Sequence, residues 1–220
     1  FINNPKVIII FVADKFSAFE KGMLIIIAKI FNKSVMIFPR AGALIDQYER
    51  NILFQKYIRF TFSKSDIFLC QGNSFREFAI NKLKFDASRT SIIPNWTAKT
   101  EHLTIGFNRD FSKDNFSPKI LFLGWLEDFK GIKELLKASL ILKNKGYIFK
   151  ISIAGDGSAK KYVIDYINKY NLKEFISLEG WVDDTKKISI LKESNIFILP
   201  SWNEGFPNAL IEAMSAGLAC

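Results

Sequence analysis

Short runs rich in β-branched and aromatic residues alternate with segments of helical period along nearly the whole chain, and this alternation constrains the fold more than any other feature. Residues 7–12, 35–38, 66–70 and 90–93 have the length and composition of buried strands, and residues 19–31, 48–63 and 74–83 between them carry apolar side chains at helical spacing. After Pro94 and Asn95 the pattern lapses. Residues 97–117 are polar, contain Gly106 and lead to Pro118, which predicts a linker. The alternation then restarts, with strands predicted over 119–123, 149–154, 176–178 and 196–199 and helices over 132–144, 159–170, 185–192 and 207–216. Strands separated by helices imply βαβ units and parallel sheets. The expected organisation is an α/β domain over 1–96, a linker over 97–117 and a second α/β domain over 118–220.

The 220 residues, 49% hydrophobic and 24% charged, suffice to bury a substantial core and exclude a disordered chain. The chain begins at Phe1 and stops at Cys220 just after a helix signal, which suggests a fragment of a longer protein with both domains incomplete. The apolar run 23–27 is interrupted by Lys29, far short of the roughly 18 residues that spanning a bilayer requires. Two widely separated cysteines, Cys70 and Cys220, have no metal-ligand spacing and fit a reducing cytoplasm without a disulfide.

The net charge of +9 is uneven: residues 1–110 hold 16 Lys/Arg against 9 Asp/Glu, residues 111–220 hold 15 against 13. A basic first half can face anionic lipid or a phosphorylated substrate, or simply solvate the surface. No dense basic block with interleaved aromatics is present, so a nucleic-acid partner is not expected.

In doubly wound sheets ligands bind beyond the carboxyl ends of the strands. Four segments of the second half fall there. "GWLEDFKG" (124–131) begins with Gly124 and Trp125 and ends with Lys130 and Gly131 at a helix entry, where backbone N–H groups and a cation suit a phosphate. "AGDG" (154–157) offers Gly155, Asp156 and Gly157 for a tight turn and close approach to a ligand. "EGWVDD" (179–184) supplies a further Gly and aromatic. In "NEGFPNALIEAM" (203–214), Glu204 sits beside the amides of Gly205 and Phe206, and Pro207 opens a helix in which Leu210, Ile211 and Met214 are expected to face the core. Glu212 falls about 200° from Leu210 at 3.6 residues per turn and so can point into the cleft. One carboxylate can accept from a sugar and the other from a ribose, with amides near a diphosphate. Each feature has a plainer reading: Gly131 as a turn, Lys130 as a solvated side chain, Glu204 as a charge near a helix start, Glu212 as a solvated helix residue.

The run "LPSWNEGFPNALIEAMSAG" closely resembles the ExxxxxxxE signature of retaining GT-B glycosyltransferases (glycosyl transferases group 1, carbohydrate-active family 4). "GWLEDFKGI" is similar to that family's phosphate-binding segment, "IAGDG" to its nucleotide-sugar glycine turn and "SIIPNW" (91–96) to the end of its N-terminal domain. The resemblance is strong over 118–217 and loose over 1–96. It implies two Rossmann-like domains with parallel sheets facing a cleft, the donor held by the C-terminal domain and the acceptor by the N-terminal one. By the family pattern Glu204 contacts the donor hexose, Glu212 the ribose and Lys130 the diphosphate, with Gly124, Trp125, Gly155, Asp156, Gly157, Gly205 and Phe206 around the donor. The implied reaction moves a hexose from a UDP- or GDP-sugar to a hydroxyl of a glycan or lipid-linked acceptor with retained configuration. No metal is expected: Asp183 and Asp184 are adjacent rather than in a DxD pair. A place in the cytoplasm, at the inner face of an anionic membrane, and a role in surface polysaccharide assembly follow from the same resemblance.

Two positions depart from the family. Trp125 stands where Arg is usual, so one cation is lost and Lys130 acts alone or with another partner; the indole is either core or stacked on a ligand. The acceptor-side histidine has no counterpart, because His102, the sole histidine, falls in the expected linker and is taken as a surface residue. Arg40 of "PRAG" (39–42) is the acceptor-side candidate. A nicotinamide dehydrogenase is excluded by the missing GxGxxG, since Lys160 stands at the third glycine, and a P-loop NTPase by the missing GxxxxGK. A catalytically inactive nucleotide-sugar-binding or scaffolding relative is the alternative from a different class.

Overall fold

A computed structural model describes residues 5–95, 97–110, 117–202 and 204–220. Trp96, Asn203 and residues 111–116 of the expected linker lie outside the described residues. The chain divides into two compact units: Phe1–Asn95 with Glu204–Phe206, and Trp96–Asn203 with Pro207–Cys220.

The first unit contains β1 (Val7–Val12), α1 (Lys15–Ile30), β2 (Ser34–Pro39), α2 (Ala43–Glu49), α3 (Ile52–Phe62), β3 (Ile67–Cys70), α4 (Asn73–Glu77) with a π-helical extension over Phe78–Lys82, and β4 (Thr90–Ile92). Its four strands are parallel in the order β1-β2-β3-β4. Two side-chain caps set helix limits that hydrophobic spacing alone misplaces. Asp14 accepts from Ser17 N–H at 2.9 Å and starts α1 earlier than predicted. Asn51 accepts from Phe54 N–H at 3.0 Å, which starts α3 afresh and divides the predicted helix over 48–63 in two. Strand residues Val12, Val35, Ile37 and Phe68 pack with Ile25, Leu44, Ile58 and Phe62 of the helices to form the core.

The second unit contains α5 (Thr100–Phe107), β5 (Lys119–Leu123), α6 (Ile132–Asn144), β6 (Lys150–Ala154), α7 (Lys160–Lys169), β7 (Ile176–Gly180), α8 (Asp184–Glu193), β8 (Ile196–Phe197) and α9 (Asn208–Ser215). The sheet is parallel in the order β7-β6-β5-β8. Successive strand residues point to opposite faces. Phe122 of β5 and Ile151 and Ile153 of β6 therefore join Leu136 and Val163 of α6 and α7 on one side, while Leu121, Ala154 and Phe197 join Leu191, Ala213 and Ala216 of α8 and α9 on the other. The chain runs from β5 outward to β7 and returns to β8 on the far side of β5, which makes the carboxyl ends of β5 and β8 the switch point of the sheet.

Where the sequence predicts only a linker, α5 packs on α8 and α9. Gly106 makes the approach possible, since a Cβ there would lie 2.7 Å from Ser215 O. Arg109 then clamps three carbonyls at or near the carboxyl ends of α8 and α9, donating to Leu191 O at 2.5 Å, to Ser194 O at 2.7 Å and to Ala216 O. A guanidinium against helix carboxyl ends is favoured by the orphan carbonyls and the dipole.

Candidate functional site

The loops that leave the carboxyl ends of the second sheet are laced together through backbone. Gly124 N–H donates to Ala154 O at 3.0 Å, Gly155 N–H to Gly180 O at 2.7 Å, Leu126 N–H to Asp156 O at 2.9 Å and Trp202 N–H to Phe129 O at 2.9 Å. Contacts this close leave no room for a side chain at two positions. A Cβ on Gly155 (φ 152°) would lie 1.8 Å from Gly124 O, and one on Gly131 (φ 71°) would lie 2.0 Å from Pro200 O.

Lys130 ends a single 3-10 turn, Asp128–Lys130, directly before Gly131 and the first turn of α6, whose N-terminus has no side-chain cap. The Lys130 ammonium lies 5.2 Å from the centroid of the Phe129 ring. Asp156 is engaged in its own turn, accepting from Gly157 N–H at 2.8 Å and from Lys160 Nζ at 2.7 Å; the Lys160 hydrogen bond is the leading reason its carboxyl sits below the usual aspartate range. Trp125 is not core: it is 55% exposed and meets the exposed Trp181 with ring centroids 5.2 Å apart. Their strands are separated by β6, and the residue that follows β6 is the side-chain-less Gly155.

Glu212 is buried rather than solvated. Its Oε1 accepts from Lys187 Nζ of α8 at 3.0 Å. Lys187 also stands 3.4 Å from Asp184 Oδ1, and Asp184 Oδ2 takes Lys99 Nζ at 2.6 Å, so charges of alternating sign run from the start of α5 across α8 to α9. The helical face differs from the predicted one. Met214, expected in the core, is 62% exposed, whereas Glu212, Ala213 and Ala216 are buried. The small residues let α9 lie close against its neighbours, and α5 packs on it with Gly106 against Ser215.

His102 overturns its reading as a surface residue. It is fully buried on α5, and its Nδ1 accepts from Lys99 N–H at 3.2 Å. Burial is the main cause that holds its pKa below the ordinary imidazole value.

Glu204, Gly205 and Phe206 group with the first unit, apart from the segments that flank them in sequence. A relay of buried amides holds them: Gln71 Nε2 donates to Asn95 Oδ1 at 2.9 Å, and Asn95 Nδ2 donates to Phe206 O at 2.6 Å. A Cβ on Gly205 would lie 2.7 Å from Gln71 Oε1 and 3.5 Å from Arg40 O. Arg40, just beyond β2, is exposed with its guanidinium 4.8 Å from the Phe38 ring centroid. The expected site residues thus fall into two groups: Arg40 and 204–206 in the first unit, Gly124 through Lys130, 155–157 and Glu212 in the second. Gln71 and Lys187 go unnoticed in the sequence, where Asn95 is read only as the end of the first alternation and Asp184 only as half of an ill-spaced acidic pair. The only hint of Gln71 is an amide side chain directly after a buried strand.

The profile of glycosyl transferases group 1 matches residues 107–220. The chain belongs to that family. An uncharacterized glycosyltransferase of Methanocaldococcus jannaschii is 29% identical over 203 residues, covering 87% of this chain and 48% of the relative. The UDP-Gal:alpha-D-GlcNAc-diphosphoundecaprenol alpha-1,3-galactosyltransferase of Escherichia coli is 32% identical over 167 residues, covering 69% of this chain and 41% of the relative. The chain therefore spans about half or less of the length of these curated relatives. The apo structure of the lipopolysaccharide outer core galactosyltransferase WaaB superposes with a TM-score of 0.68 at 22% identity, over 99% of this chain and 56% of the other. The fold is α/β of the GT-B type, two units each built on a parallel sheet.

For this group 1 glycosyltransferase chain, the matched region contains the whole second unit from α6 onward, both glutamates, Lys130 and the glycine turns. Among the described residues no group of three or more His, Cys, Asp or Glu side chains could hold a metal ion, and no helix is long and apolar enough to cross a membrane.

Proposed function

We propose that this chain is part of a retaining hexosyltransferase that takes its sugar from a UDP- or GDP-linked donor and passes it to a hydroxyl of a glycan or lipid-linked acceptor. The observation that carries the reading is the entry to α6: Lys130, a left-handed glycine and an uncapped helix N-terminus stand together at the switch point of the second sheet. A diphosphate there meets backbone N–H groups and a full positive charge. In the reaction the anomeric C1–O bond to the diphosphate breaks, a C1–O bond to the acceptor oxygen forms, and the acceptor hydroxyl gives its proton to an oxygen of the departing diphosphate. Negative charge grows on the departing diphosphate, where preorganised donors act most strongly. Lys130 is assigned to that charge, Glu212 to the ribose hydroxyls and Glu204 to the hexose. Gly124, Gly155 and Gly157 let the backbone approach the donor, with Trp125, Asp156, Gly205 and Phe206 around it and Arg40 on the acceptor side. No divalent metal is assigned, since Lys130 and the amides supply the positive field. The lipid-linked acceptor is suggested by the name of the Escherichia coli relative, and a peripheral contact with an anionic membrane at the cytoplasmic face by the basic first half.

The test is a thermal-shift panel of UDP-glucose, UDP-N-acetylglucosamine, GDP-mannose, UDP, GDP and NAD in EDTA, on the protein that carries this chain and on Glu212→Gln. A rise of a few degrees with one nucleotide family at about 100 times Kd, lost in the variant, supports the donor site and names the base. Absence of a shift with every nucleotide would favour an inactive relative. The anomeric configuration of the product, read by NMR, decides retention.

A further inference from the structure

The buried imidazole of His102 has one nitrogen in use and one idle. Nδ1 accepts from the Lys99 backbone N–H at 3.2 Å, so in the neutral ring the proton resides on Nε2. That Nε2 is buried and has no hydrogen-bond partner among the described residues. A buried donor without an acceptor is disfavoured, and native proteins pair nearly all such groups.

What faces it follows from the run of α5 along α9. Thr97 Oγ1 donates to Asn208 O at the start of α9 at 3.3 Å, and Gly106 abuts Ser215 at its end. His102 lies midway between Thr97 and Gly106, and Glu212 lies midway along α9, where it is one of the two buried residues. Glu212 is also the charge that most favours protonation of His102, opposed by Lys187 of α8 and Lys99, with Glu101 on its own helix contributing least. Lys187 already holds Glu212 Oε1 from the α8 side.

We propose that His102 is a positioning residue for Glu212, its Nε2–H donating to the carboxylate when the ribose of a nucleotide engages it. The inference rests on the donor reading above. Lys187 and His102 then grip the carboxylate from two helices and leave its remaining lone pairs for two ribose hydroxyls, which a carboxylate can accept together. A neutral donor suits this task, because it orients the carboxylate without adding a second cation beside Lys187.

His102 is the sole histidine of the sequence, so labelling with 15N-histidine reports one imidazole. The expected result is an Nε2–H tautomer without nucleotide and a downfield shift of Hε2 on saturation with UDP or GDP, titrated separately. His102→Leu is expected to weaken the nucleotide about tenfold by calorimetry, the worth of a hydrogen bond to a charged group, and His102→Gln, which keeps an N–H near the same place, to restore most of it. An Nδ1–H tautomer, an imidazole unmoved by bound nucleotide, or wild-type affinity in His102→Leu would each overturn the proposal. If calorimetry finds no binding of UDP or GDP to the wild-type protein, the donor reading fails and this inference with it; binding without an imidazole response defeats this inference alone.

Discussion

Lys187 and Glu212 meet between α8 and α9 with Nζ 3.0 Å from Oε1, their side chains only 18% and 10% exposed. A carboxylate in that position depends on its partner, because removing one member of a buried pair leaves an uncompensated charge. Lys187→Met is expected to destabilise the protein by about 2–3 kcal/mol in urea unfolding. Glu212→Gln keeps an oxygen for Lys187 and is expected to lose only about 1 kcal/mol, yet to lose nucleotide binding by calorimetry. Equal losses of stability in both variants would argue that Glu212 serves the fold alone.

The backbone contacts at Gly155 and Gly131 predict a sharp ranking among glycine substitutions. Ala at either would drive a Cβ to 1.8 or 2.0 Å from a carbonyl oxygen, and backbone cannot swing aside as a side chain can. Each is expected to cost at least about 3 kcal/mol or to prevent folding. Gly146→Ala has φ 77° but open space around the Cβ, and should cost only the conformational strain of about 1–2 kcal/mol. Thermal unfolding of the three variants checks the order.

At Gly205 the obstacle is the end of a flexible side chain, Gln71 Oε1 at 2.7 Å. Gly205→Ala is therefore expected to fold, with a loss of about 1 kcal/mol, and to reduce transfer by displacing the segment that carries Glu204. Adding Gln71→Ala should recover part of the stability. A double variant no better than the single one would remove Gln71 as the cause.

Arg109→Ala withdraws a charged donor from three carbonyls at or near the ends of α8 and α9. The expected loss is about 2–4 kcal/mol, with amides at the carboxyl ends of both helices exchanging faster. Protection unchanged in α9 would show that the helix end is held by other contacts.

The depressed pKa of His102 has a sign that unfolding can test. The unfolded chain takes up a proton below the ordinary value of 6.5, while the buried ring stays neutral to lower pH. The contribution of this group to stability is thus full above 6.5 and is lost as the pH falls toward the folded pKa. Urea midpoints measured between about pH 7.5 and 5.5 should fall in the wild type and fall less in His102→Gln. Identical slopes would exclude the histidine as the source.

The strands and longer helices were legible because their periodicity is a local property of the backbone. Most of the predicted elements, among them residues 7–12, 66–70, 119–123, 132–144, 149–154, 159–170, 185–192 and 207–216, lie within a residue of their observed limits. Helix α5 was not legible: eight residues, TEHLTIGF, are too few to form a stable helix alone, and packing on α8 and α9 makes this one. The partner of Glu212 was hidden for a related reason. Lys187 lies on another helix, and no local spacing announces it.

By itself the sequence determined that this protein is built from two parallel α/β units, that a Lys–Gly helix entry follows β5, and that one carboxylate precedes α9 and another lies within it. Those properties depend on residue type and short-range period. Tertiary structure alone decided that Glu204–Phe206 group with the first unit through Gln71 and Asn95, that Glu212 is a buried partner of Lys187, and that His102 lies in a core instead of on a linker. Burial and pairing are set by which distant segments pack together, and that is a property of the folded chain rather than of any stretch within it.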